Sequence, residues 1–322
     1  MTRALVVMLL LMLGVAGCAS DPYGPNAAGI CPLVRVAEMP LTIQRDVMFV
    51  DGTINNQPVR LLVDSGAERT LLTEDAVKRL QLPRDYQHAT RTIGIGGPST
   101  GFDALLPHGL VLGGTDLPVD RVTVAPFSIA QAGGGAGADG LLGADILLAF
   151  DVDLNLPAHR LTMYRARREC PTAEPPWSAQ YLAISGITSH RDRLLLPFVL
   201  DGVNGMAILD TGAQLSSISG TMAAKLGVSD NGPSEDVMIT AHGAAPQEVR
   251  VRLHRFNELR VGPAVVNGPL MPVVPMSLEM GDALIGGDFL RGRRVWLSFS
   301  THRVLVTPLP GASAIAMTRT QR

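Results

Sequence analysis

Two aspartates stand in matching surroundings. Asp64 opens Asp64-Ser65-Gly66-Ala67 after the apolar run Leu61-Leu62-Val63, and Asp210 opens Asp210-Thr211-Gly212-Ala213 after Ala207-Ile208-Leu209. A short apolar run ending in small polar residues predicts a buried strand whose end presents a carboxylate in a turn. One such tetrapeptide is an ordinary turn. A pair suggests acid–base chemistry. Two carboxylates brought to about 3 Å cannot both ionise easily, so they share a proton and their pKa values split. The ionised member takes a proton from water while the protonated one polarises a carbonyl. No metal and no covalent intermediate is needed, and the titration belongs to the pair.

The elements that must position these residues are duplicated. Asp64 and Asp210 lie 146 positions apart (210 − 64), and at that offset Leu72 meets Ile218, Arg79 meets Lys225, Leu80 meets Leu226, and the turn Asn55-Asn56 meets Asp201-Gly202. Farther on the offset is 143 (286 − 143): Leu141-Leu142-Gly143-Ala144-Asp145 meets Leu284-Ile285-Gly286-Gly287-Asp288, and Arg160-Leu161 meets Arg303-Val304. Two long copies make an internal duplication, not a solenoid.

Asp-Ser/Thr-Gly-Ala after an apolar strand, with Leu141-Leu142-Gly143 and Leu284-Ile285-Gly286 downstream, resembles the retropepsin-like aspartic peptidases. The resemblance spans residues 45–165 and 192–307. It implies an all-β fold of two acid-protease barrel lobes with short helices. Retroviral members carry one unit and form homodimers, so this chain resembles a single-chain form with an intramolecular dyad. The implied activity is endopeptidase cleavage of a protein or peptide bound as an extended strand. Asp64 and Asp210 are the implied catalytic pair. Ser65 and Thr211 would bond across the lobe interface, and Gly66 and Gly212 would let backbone N–H groups approach the carboxylates. Ala67 and Ala213 stand where pepsin-like relatives often carry a hydroxyl; losing that donor predicts a less acidic pair and a mildly acidic working range. Thr92-Ile93-Gly94-Ile95-Gly96-Gly97-Pro98 reads as a glycine-rich hairpin at the position of the flap, with Ala241-His242-Gly243 as its counterpart. A flap closes over substrate and excludes water. His242 also reads simply as an exposed hairpin residue.

The remaining sequence sets the context. Residues 1–18 carry Arg3, an apolar run Ala4–Leu13 and Val15-Ala16-Gly17-Cys18, which resembles a bacterial lipobox with Cys18 as the lipidated residue. The alternative is a plain secretory signal with a chance cysteine. Ala19 after Cys18 favours the outer membrane of a Gram-negative envelope, by resemblance to lipoproteins there, with the protein facing the periplasm. Several acyl chains would hold it stably. Cys31 and Cys170 then remain in an oxidising compartment on either side of the first lobe, and a disulfide between them is expected. Residues 19–44 read as a spacer, 166–191 as the inter-lobe linker and 308–322 as a loose tail.

Composition excludes several classes. The net charge is −2 and aromatic residues are 4%, which argues against nucleic-acid binding. The seven histidines are dispersed without ligand spacing, so neither a metal nor another cofactor is expected. The glycine run at 132–140 ends without Lys-Ser/Thr, which makes it a loop and not a phosphate cradle. Asp145 and Asp288 match one another and read as helix caps or partners of arginine. With both aspartates intact, an inactive peptide-binding scaffold of the same fold is the rival reading.

Overall fold

The structure is a computed structural model that describes residues 32–94, 97–124, 137–165, 174–228, 237–241, 249–274 and 281–309. It is built from strands, with two ten-stranded sheets, one in each half, and a six-stranded sheet shared by both. This is the all-β, two-lobed architecture that the duplication predicts.

Each ten-stranded sheet is organised around the strand that leads into an aspartate. In the first half Gln57–Val63 runs antiparallel to Val47–Ile54 and parallel to Gly140–Leu142. The latter is antiparallel to Leu71–Leu72, which lies parallel to Arg121–Val124. In the second half Val203–Leu209 takes the same place between Leu194–Leu200 and Ala283–Ile285, followed by Ser217–Ser219 and Leu270–Val274. A central strand covered on both faces needs a continuous apolar run. Leu61, Leu62 and Val63 are all buried, as are Ala207, Ile208 and Leu209.

The hairpins entering both strands turn on the residues the sequence singles out. Asn55 and Asn56 have φ of 51° and 60°, and Asp201 and Gly202 have 45° and 83°. Two successive left-handed residues match the right-handed twist of the flanking strands, which is why Asn, Asp and Gly occupy them. Two short helices follow the same logic. Glu74–Arg79 starts after Thr73, whose hydroxyl accepts the Ala76 N–H at 3.1 Å, and Gly220–Lys225 starts after Ser219, which accepts the Met222 N–H at 3.1 Å.

The shared sheet departs from the expected boundaries. Its order is Val34–Pro40, Arg160–Arg165, Asp151–Asn155, Arg294–Ser298, Arg303–Val306, Leu182–Ser185. Strands Val34–Pro40 and Thr42–Gln44 lie in the stretch read as a spacer, and Leu182–Ser185 and Ile187–Thr188 lie in the stretch read as a linker. The physical reason is that Val34–Pro40 and Leu182–Ser185 are edge strands of the shared sheet. Their exposed residues alternate with buried ones, and their partners are far away in sequence.

At the centre of this sheet, Asp151–Asn155 pairs antiparallel with Arg294–Ser298, and Asp153 faces Trp296. At the 143-residue offset, Trp296 is the repeat counterpart of Asp153. The approximate two-fold axis relating the halves therefore passes between these two residues. Asp153 is buried and held by Arg294, with Nε–Oδ1 at 2.9 Å and Nη2–Oδ2 at 2.5 Å; Trp296 is fully buried.

Candidate active site

The two aspartates sit where the central strands end. The Asp64 N–H donates to the Leu142 carbonyl at 3.0 Å, and the Asp210 N–H donates to that of Ile285 at 2.9 Å. Each parallel neighbour strand thus fixes the point at which the chain turns. Within the turn, the N–H groups of Gly66 and Ala67 both donate to Asp64 Oδ1 at 3.0 Å, and those of Gly212 and Ala213 both donate to Asp210 Oδ1 at 3.0 Å.

The loops then bring the carboxyl groups together. A Cβ built on Gly66 would fall 2.4 Å from Cγ of Asp210, and one on Gly212 would fall 2.5 Å from Cγ of Asp64. The glycines therefore serve a second purpose beyond the one read in the sequence. Besides freeing its own N–H, each clears space for the carboxylate of the opposite lobe. The two carboxyl groups hydrogen-bond to one another and stay partly exposed.

Ser65 and Thr211 lock this arrangement. The Ser65 N–H donates to Thr211 Oγ1 at 3.0 Å, and the Thr211 N–H donates to Ser65 Oγ at 3.2 Å. Each hydroxyl donates onward across the interface, Ser65 to the Leu209 carbonyl and Thr211 to the Val63 carbonyl, both at 2.7 Å. Both side chains are fully buried, so every polar atom in this lattice needs its partner.

A further layer was not read from the sequence. The Thr70 N–H and hydroxyl donate to Asp145 Oδ1 at 2.8 and 2.7 Å, and Thr70 Oγ1 accepts the Gly143 N–H at 3.0 Å. In the second lobe Ser216 makes the same contacts with Asp288, at 2.8 and 2.7 Å, and with the Gly286 N–H at 3.0 Å. Asp145 and Asp288 also accept the N–H of the residue that follows them, at 2.9 and 2.8 Å. They therefore tie the aspartate loop to the glycine tract, where a helix cap or an arginine partner was expected. The available signal was a hydroxyl six residues after each catalytic-type aspartate.

Electrostatics separates the two carboxyls. Burial pushes Asp64 well above the usual carboxylate range, and the charge of Asp210 adds to the effect; the Ala67 and Gly66 N–H groups pull the other way. Asp210 is also raised by burial, but its hydrogen bond with Asp64, the Ala213 and Gly212 N–H groups and the Arg193 guanidinium all favour its ionised form. The pair can hold one proton between a carboxylate and a carboxylic acid.

The other expected site residues are distributed as follows. Ile93 and Gly94 end strand Arg84–Gly94, and Gly97 opens Gly97–Leu105; Gly94 pairs with Gly97 across this antiparallel hairpin. Ala241 ends strand Val237–Ala241 and pairs with Val249. Ile95, Gly96, His242, Gly243, Cys18, Cys31 and Cys170 lie outside the described residues. Among the described residues, no group of three or more His, Cys, Asp or Glu is arranged to hold a metal ion.

Comparison with known proteins agrees with this architecture. The crystal structure of an aspartic proteinase from Irpex lacteus superposes with a TM-score of 0.50 at 11% identity, covering 89% of this chain and 100% of that one, which is a likeness of fold. No curated protein sequence matches the chain. The sequence model of the aspartyl protease family matches twice, over residues 50–146 and 196–289, each match holding one aspartate, one hydroxyl lock and one glycine tract. By those two matches the chain belongs to the aspartyl protease family.

Proposed function

We propose that this protein is an aspartic endopeptidase of the retropepsin-like kind, with both halves of the dyad in one chain. The observation that carries the reading is the reciprocal fit of Gly66 against Asp210 and Gly212 against Asp64. A turn-forming or capping aspartate has no need of a gap in the opposite lobe. Asp64 and Asp210 are the catalytic residues of this reading. Ser65, Gly66, Ala67, Thr211, Gly212 and Ala213 hold them in register.

The substrate is a protein or peptide segment in extended form, lying in the cleft between the lobes. The hairpin bearing Ile93 to Gly97 and the one bearing Ala241 to Gly243 close over it and supply backbone hydrogen bonds. A water between the carboxyls loses a proton to the ionised member as its oxygen bonds to the scissile carbonyl carbon. Lipid on Cys18 tethers the chain to the envelope, facing the periplasm, and Cys31 pairs with Cys170. The chain works as a monomer without a cofactor.

The decisive experiment incubates the full chain, in detergent, with a mixed peptide library between about pH 4 and 7, where a shared-proton pair is expected to work. Cleavage by the wild type and its loss in both Asp64→Asn and Asp210→Asn is the expected result. Cleavage that survives loss of one aspartate overturns the shared dyad. Mass spectrometry of the mature N-terminus tests the lipid on Cys18.

A further inference from the structure

Each central sheet has two faces. Leu72 and Ile218 point into the main core. Side chains alternate along a strand, so their neighbours Leu71 and Ser217 point the other way, toward the aspartate loops. In the first lobe Leu71 stands directly opposite Leu141, and both pack with Leu62 in a small separate cluster against which Ala67 lies. In the second lobe Ser217 stands directly opposite Leu284, which packs with Ile208 and Ala213. Ala67 and Ala213 donate their N–H groups to the two carboxyls. These two layers are therefore the walls nearest the aspartates.

The two walls differ in kind at one position. At the 146-residue offset Leu62 corresponds to Ile208, and at the 143-residue offset Leu141 corresponds to Leu284, but Leu71 corresponds to Ser217. A shorter, polar side chain thus interrupts an aliphatic surface. Ser217 is 4% exposed, and among the described residues its hydroxyl is buried without a hydrogen-bond partner. The nearby serines are both engaged: the Ser216 hydroxyl donates to Asp288 at 2.7 Å, and that of Ser219 accepts the Met222 N–H at 3.1 Å. A buried hydroxyl left idle costs stability, a cost that Leu71 avoids in the first lobe.

We infer that Ser217 is a specificity-determining residue whose hydroxyl receives a small hydrogen-bonding side chain (Ser, Thr or Asn) of the peptide in the cleft. This rests on the peptidase reading above and names what that site prefers. An extended peptide between lobes related by a two-fold axis shows one side chain to each wall, at equivalent places on either side of the scissile bond. The side chain facing Leu71 meets aliphatic groups and is best filled by Val, Ile or Leu. The one facing Ser217 finds room where the leucine of the first lobe would stand, and a hydroxyl able to donate or accept. A buried hydroxyl that needs a match rejects a side chain that leaves it idle more strongly than an apolar wall rejects a missing methylene. The preferred substrate is apolar on one side of the scissile bond and polar on the other.

The test is the cleavage-site profile of the full chain, in detergent, on a mixed peptide library read by mass spectrometry. It is followed by kcat/KM for two peptides that carry Thr or Val at the selected position. The wild type is expected to favour Thr by about ten-fold. Ser217→Ala is expected to abolish that preference yet melt no lower than the wild type, since no hydrogen bond of the folded chain is lost. Ser217→Val is expected to reverse the preference, and Leu71→Ser to create it on the other side of the bond. Should Ser217→Val not fold, Ser217→Ala decides alone. A profile that is apolar at both positions, a Thr preference that survives Ser217→Ala, or a clear fall in that variant's melting temperature overturns the inference. If the folded wild type cleaves nothing, peptides selected from the same library on the immobilised chain are compared as Thr and Val pairs by fluorescence anisotropy. A ten-fold difference in binding that Ser217→Ala removes sustains this inference while the peptidase reading falls. No binding, or no difference, overturns this one as well.

Discussion

In the first repeat the strand that opens the aspartate-bearing hairpin begins at Val47, buried in the core, whereas the second repeat has Arg193 at the same position. The loop after Asp64 carries Glu68, whose Oε1 lies 3.3 Å from Arg191 Nη1 and 3.8 Å from Arg193 Nη2, and the loop after Asp210 carries Gln214. The other side of the interface is also charged, but differently: there Asp46 forms a two-point ion pair with Arg291. The hairpin of one lobe thus offers an acid to its partner, and that of the other offers two bases. Deeper in, the difference vanishes. Ser65 and Thr211 exchange matching hydrogen bonds, and Thr70–Asp145 matches Ser216–Asp288 to within 0.1 Å. The positions that hold the carboxyls keep their two-fold symmetry, while the positions that surround them have lost it.

The strongest way to break the symmetry is at the carboxyls. Asp64→Asn and Asp210→Asn are each expected to lower kcat/KM by about 10³-fold or more, because in the proposed mechanism the two groups act as one unit. Peptide hydrolysis by the purified variants checks this. Gly66→Ala and Gly212→Ala come next. Each methyl would meet the opposite carboxylate, and displacing it by an ångström is expected to cost about 10²-fold in kcat, to a similar extent from either side. A clear difference between the two variants would show that only one carboxyl must stay in place.

Ser65→Ala and Thr211→Ala each strand a buried N–H and a buried carbonyl, and are expected to lower stability by about 1–3 kcal/mol in urea unfolding. Thr211→Ser is expected to recover most of that loss. The pH dependence of stability sharpens the electrostatic side. The Asp64 carboxyl is raised on folding, so between its unfolded value, about 3.9, and its folded value the native chain binds the proton and the unfolded chain does not. Stability from this group is full at low pH and is lost as pH rises through the folded pKa. Asp64→Asn should therefore flatten that fall, giving a melting temperature above that of the wild type at neutral pH and equal to it near pH 3. The smallest effect is expected at the rim: Asp46→Asn removes an ion pair whose arginine is 65% exposed and should cost less than about 1 kcal/mol.

Much of this molecule can be read locally. The duplication, the Asn55-Asn56 and Asp201-Gly202 turns, the helix start at Thr73 and the apolar runs before each aspartate are all contained in short windows. Non-local pairing is harder to read. Asp145 is bound to Thr70, 75 residues away, and nothing in its own window distinguishes it from a capping residue. The edge strands at Val34–Pro40 and Leu182–Ser185 carry weak alternation, because each has one neighbour in the sheet and one side toward solvent. Arg193 and Glu68 escaped for the opposite reason. A search guided by repetition overlooks what is present only once.

The central strand pair also bears on which partner each half can accept. Two copies of the first half, docked in the same register, would set one Asp153 directly against another in a buried sheet. The arginine that now neutralises it would be missing, because the repeat counterpart of Arg294 is Asp151, a further acid. Two copies of the second half would oppose one Trp296 to another, with an arginine on each strand and no aspartate between them. Burying unpaired like charges is costly enough to forbid the first assembly, and bulk together with uncompensated arginines works against the second. Each half has become a selective receptor for the other, so the strand register that closes the fold also serves as its rule of mate recognition.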